Sequence, residues 1–131
     1  MDQASDRRRH PRYLLPSSYT AVEARPMDSE SFDWKGHAYD ISEGGMRFEL
    51  DHPVEPGTRI AVRIQLPGAE FLRLTERRPV YVFANVVWIE EDDLDQPGPV
   101  RMACVFHRFV MPGDKERLCK RLASGRFSLA A

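Results

Sequence analysis

The stretch RIAVRIQL, residues 59–66, alternates without a break. Ile60, Val62, Ile64 and Leu66 fall on one face, and Arg59, Ala61, Arg63 and Gln65 fall on the other. A period of two is that of a β-strand with one face in a core and one in water, the pattern of a half-buried antiparallel sheet.

Outward from this strand the chain repeats the same kind of element. YTAVEA, SFDWKGHAYDI and GMRFEL precede it, and VYVFANVVWI and VRMACVF follow. These stretches are rich in β-branched and aromatic residues and are bounded by the turn residues PSS, EGG, EPG, LPG and QPGP. Six short strands in one small chain predict an all-β fold, a barrel or a sandwich. Residues 67–79 read equally as a long loop or as the continuation of a hairpin. Near the end, MPGDKERLCKRLASGRF predicts a helix over about 113–124. Asp114 is its expected N-cap, Leu118 and Leu122 share a face, and Gly125 is placed to end it.

Composition narrows the functional classes. The 131 residues suit a single domain with a real core, and 42% apolar against 30% charged is an ordinary globular balance. No apolar run is long enough to span a membrane, and the N-terminus has no apolar stretch behind its basic residues, so a cytoplasmic location is expected. Cys104 and Cys119 match no zinc spacing and read as reduced thiols. His10, His37, His52 and His107 are scattered, and the common nucleophile, zinc-protease and phosphate-loop motifs are missing, so no enzymatic activity and no metal are expected. The acidic run EEDDLD, residues 90–95, reads as a solvated loop because it lacks calcium-loop spacing.

Two stretches stand apart. RRRHPRY, residues 7–13, puts Arg7, Arg8, Arg9 and Arg12 into six positions of a chain with net charge −1. Pro11 disfavours helix around it, so these arginines belong to an extended arm, 1–12, ahead of a barrel domain, 13–127. YDISEGGMRF, residues 39–48, connects two strands. In the plain reading Asp40 and Ser42 bond nearby amides, and Gly44 and Gly45 supply a positive φ to the turn. In the functional reading the two oxygens of Asp40 accept the N1–H and exocyclic amine of a guanine, while glycine lets a flat base approach the backbone. Arginine pairs with guanine O6 and N7, bonds phosphate, or lies over a base. Arm and turn are then complementary halves of a guanine-nucleotide site.

Residues 7–12 match RRxxxR and residues 40–45 match DxSxxG, in that order. This pair resembles the signature of the PilZ domain family, receptors for the bacterial second messenger cyclic di-GMP. The resemblance implies a six-stranded antiparallel β-barrel with a C-terminal helix. It assigns Arg7, Arg8 and Arg12, with Arg9 as a helper, to guanine and phosphate, and Asp40, Ser42 and Gly45 to the floor of the site. Trp88 matches a position that some relatives set against the ligand; a core or rim tryptophan is the other reading. Where relatives carry glycine in the last strand, this chain has Ala103. Arg7 ahead of the motif goes, in similar proteins, with a stacked, intercalated pair of cyclic di-GMP molecules.

The resemblance further implies signalling through an unidentified protein partner, by ordering of the arm. Two other readings stand beside it: a PilZ-like interaction module that uses no ligand, and a small nucleic-acid-binding barrel. A sequence pI near 6.4 weighs against the last. The basic face of the terminal helix, Lys115, Arg117, Lys120 and Arg121, is either a docking surface or simply solvated.

Overall fold

The computed structural model describes residues 10–15, 20–66, 78–90, 99–124 and 127–129. Seven strands and one helix follow in order: β1 (Tyr13–Leu14), β2 (Ala21–Pro26), β3 (Trp34–Ile41), β4 (Gly45–Leu50), β5 (Arg59–Ile64), β6 (Val80–Ile89), β7 (Val100–Phe109) and α1 (Asp114–Leu122). Each expected strand is present. Antiparallel pairing runs β3–β2–β5–β6–β7–β4, and β4 pairs back onto β3, so six strands close into a barrel.

Alternation decides what fills the barrel. Ile60, Val62 and Ile64 of β5, Val80, Val82, Ala84 and Val86 of β6, and Met46, Phe48 and Leu50 of β4 all point into one buried cluster. From α1, Leu118 and Leu122 join the same cluster, each adding about 1.5–3 kcal/mol of apolar burial.

The helix starts differently from expectation. Asp114 is not an N-cap: Gly113 occupies that place, with φ 85°, and no side chain caps the end. Asp114 is instead the first helical residue and is fully buried. Its Oδ2 accepts the Tyr81 N–H of β6 at 3.2 Å, and its Oδ1 accepts from Arg117 Nη2 at 3.0 Å. Arg117 also donates to the carbonyls of Arg78 and Pro79, so part of the expected basic face is engaged in holding α1 to the barrel. Residues 67–77, most of the acidic run and Gly125 lie outside the described residues.

The seventh strand, β1, was not anticipated. It pairs with β3 beyond the end of β2, Tyr13 with Ile41 and Leu14 with Asp40. It thereby carries the chain from the arm directly past the second motif.

Candidate ligand site on the barrel wall

Asp40 owes its position to a bulge. Ala38 pairs with Phe48, but the next pair is Asp40 with Arg47, leaving Tyr39 as the extra residue on β3. Such an insertion re-aims the following side chain. Ala38 and Ile41 pack in the core, while Asp40 stands beside Arg47, which is half exposed on the outer wall. The carboxylate is nonetheless enclosed, 1% exposed. Its Oδ2 accepts from Arg47 Nε at 2.6 Å and Nη2 at 2.5 Å. Its Oδ1 is buried and has no hydrogen-bond partner among the described residues. Buried acceptors are normally satisfied, so this oxygen marks a place where a donor is expected.

The turn after Asp40 is built locally. The Ser42 N–H donates to Gly45 O at 2.8 Å, and Ser42 Oγ accepts the Gly44 N–H at 3.1 Å. The expectation that Gly44 and Gly45 supply positive φ is corrected here. Among the described glycines only Gly57 and Gly113 lie in the left-handed region. Gly45 is required by close approach instead: a Cβ there would collide with the Cys104 carbonyl oxygen of β7. At Gly44 a Cβ would meet the His10 ring, at 3.3 Å.

From Asp40 a row of cross-strand neighbours runs along the wall: Arg47 of β4 faces Ala103 of β7, which faces Trp88 of β6. Ala103 is nearly covered, whereas Trp88 is 42% exposed, so the indole belongs to the outer wall and not to the core. Arg47 and Trp88 line a cavity of about 290 Å³ together with Tyr39, Phe48, Glu90, Arg101 and Met102. The Arg101 guanidinium stands over the Tyr39 ring, 5.1 Å from its centroid. The cavity's aromatic faces and guanidiniums suit a flat, anionic ligand, and Asp40 lies behind Arg47 rather than in the cavity lining. No group of three or more metal-ligating side chains occurs among the described residues.

The base of the arm lies against this wall. The Leu15 N–H donates to Tyr39 O at 2.9 Å, fixing the chain beside the bulge. Arg12, half-buried with its Nε enclosed, immediately precedes β1, at the Ser42 end of the pairing. His10 reaches Glu43 at the tip of the turn, Nδ1 to carboxylate 3.3 Å. Glu43 also pairs with Lys115 of α1 at 3.4 Å. Partial burial, and then the neighbouring Glu43 charge, raises the Cys119 thiol above its ordinary pKa.

Of the expected site residues, Arg12, Asp40, Ser42 and Gly45 are thus gathered around one turn, and Trp88 lies three strands from Asp40 along the row. Arg7, Arg8 and Arg9 lie outside the described residues. Arg47, Tyr39 and Arg101 were not singled out in the sequence. Alternation in GMRFEL does put Arg47 on the outer face, but its partnership with Asp40 depends on the bulge, which has no local signal.

Comparison with known proteins agrees with this architecture. A family model described as PilZ domain matches residues 6–123. A search of curated proteins finds no match. Among solved structures, the PilZ domain of YcgR from Escherichia coli with c-di-GMP superposes with TM-score 0.60 at 21% identity, over 88% of this chain and 91% of that one. The Bacillus subtilis inhibitor of motility MotI/DgrA gives 0.61 at 20%, over 88% and 49%. The K. pneumonia MrkH–c-di-GMP complex gives 0.63 at 19%, over 88% and 50%. The chain therefore spans about half the length of MotI/DgrA and MrkH. At these identities the likeness is one of fold.

Proposed function

The chain belongs to the PilZ domain family, and on that footing we propose that it is a receptor for cyclic di-GMP acting in the cytoplasm. The observation that carries the reading is Asp40: an enclosed carboxylate with Oδ1 unpartnered among the described residues, at the foot of an arginine-bearing arm. Guanine supplies the donor this oxygen lacks. Arg12, with Arg7, Arg8 and Arg9 ahead of it, takes phosphates and the O6/N7 edge, and Trp88 offers a ring face along the wall. Ser42 and Gly45 contribute by fixing the turn. YcgR and MrkH, solved with c-di-GMP, share the fold and support the ligand class.

Output follows from where the arm is attached. Leu14 stands directly across from Asp40 on a strand of only two residues, so access to the enclosed carboxylate calls for the segment around it to move. Glu43 touches both His10 of that segment and Lys115 of α1, which gives such a movement a route to the helix and to a protein partner docking there.

Asp40→Ala tests the reading. Loss of a charged acceptor lowers affinity for cyclic di-GMP about 10–100-fold in a calorimetric titration, with the barrel still folded by circular dichroism. Unchanged affinity refutes the site. Binding to DNA with a steep salt dependence and no response to Asp40→Ala would favour the nucleic-acid reading.

A further inference from the structure

Resting on the receptor reading above, we infer that Arg47 sets the base specificity of the site: it fills one oxygen of Asp40 and leaves the base a single acceptor, Oδ1. A guanine presents two neighbouring donors, N1–H and the exocyclic amine, and a free carboxylate matches them with two oxygens. Here both Arg47 contacts, from Nε at 2.6 Å and from Nη2 at 2.5 Å, converge on the same oxygen, Oδ2. A carboxylate oxygen has about two acceptor positions, so Oδ2 is saturated. Oδ1 has none of its capacity used among the described residues.

Arg47 is not easily displaced by the ligand. Its bonds join two charges, whereas the exocyclic amine of a base is a neutral donor, and exchange of the first for the second loses more than it gains. The pairing is also fixed by the ladder, which sets Arg47 directly across from Asp40. Oδ1 can take N1–H along a well-aligned direction and leaves the exocyclic amine only a bifurcated share of the same oxygen, so the site reads N1–H first and the amine weakly. Hypoxanthine, which keeps N1–H and lacks the amine, satisfies Oδ1 as guanine does. Adenine, with an acceptor at N1, does not.

The test titrates the full chain with cyclic di-GMP, cyclic di-IMP and cyclic di-AMP. The inference expects cyclic di-IMP within tenfold of cyclic di-GMP, and cyclic di-AMP weaker than either by well over tenfold. Arg47→Met, which opens Oδ2, should widen the gap between cyclic di-GMP and cyclic di-IMP beyond tenfold. If the wild-type chain already separates those two by more than tenfold, Asp40 uses both oxygens and the inference falls while the receptor reading stands. A gap unchanged in a folded Arg47→Met variant removes Arg47 as its cause. Failure of all three dinucleotides to bind overturns the receptor reading, and this inference with it. The wild-type comparison decides the matter even if the variant does not fold.

Discussion

Gly45→Ala and Gly44→Ala separate two accounts of the same turn. If the pair were there for positive φ, both substitutions would strain the backbone. Neither residue adopts such a φ. At Gly45 the added methyl points at main chain: it collides with the Cys104 carbonyl oxygen and comes within 3.3 Å of Val105 Cα. Backbone atoms in a closed barrel cannot rotate away, so β4 and β7 must separate locally. That strains the Phe106 N–H to Gly44 O bond, now 2.8 Å, which closes the ladder next to the turn. Overpacking of this kind costs about 2–3 kcal/mol, which for a chain of this length lowers Tm by about 6–15 °C. At Gly44 the nearest atom is a His10 side-chain carbon, which can yield, and the lost flexibility of the unfolded chain partly offsets any crowding. Gly44→Ala should then change stability by less than about 1 kcal/mol. Differential scanning calorimetry of both variants decides it. Equal destabilisation, or a neutral Gly45→Ala, refutes the argument from close approach.

Three further outcomes follow from the packing and the charges. Asp114→Ala strips partners from the Tyr81 N–H and from Arg117, and should lower urea-unfolding stability by about 2–3 kcal/mol with α1 loosened; no change would mean the helix is held by its leucines alone. Burial pushes the Cys104 thiol up to about 12, and Cys119 is raised less strongly, so an alkylating reagent at pH 8 should label Cys119 slowly and Cys104 only on unfolding, as peptide mapping would reveal. For Glu23, burial works to raise the pKa, but hydrogen bonds from Lys35 and Arg63 outweigh it and hold the carboxyl below its ordinary 4.5. Its stabilisation is complete above that value and disappears as pH falls through the lowered folded-state pKa, so Glu23→Gln should flatten the acid limb of a stability–pH curve; an unaltered limb would contradict the shift.

Much of this molecule is legible in the sequence because its signals are local. Alternation in RIAVRIQL and its neighbours is imposed by one dry face, and the barrel requires nothing else to be recognised. DISEGG could be read as a polar turn joining two strands for the same reason. What escaped depends on contacts between distant residues. A two-residue strand has no period, and β1 exists only because β3 runs past β2 and leaves an edge. The bulge at Tyr39 cannot be seen in one strand, since it is a mismatch of two, and with it went the pairing of Asp40 with Arg47. A glycine pair in a turn suggests positive φ, but the constraint at Gly45 is the β7 backbone, which lies some sixty residues downstream. Asp114 looked like a cap by its place before a helical run, yet it is buried because a β6 amide needs an acceptor there.

The most direct test is a calorimetric titration of the wild-type chain with cyclic di-GMP. The account predicts saturable binding, weakened about 10–100-fold by Asp40→Ala, with two molecules per chain if Arg7 supports a stacked pair. One molecule per chain would keep the receptor and remove the pair. Absence of binding in this titration and in an independent assay would contradict the central claim, leaving a PilZ barrel whose buried Asp40 and arginine arm serve another partner.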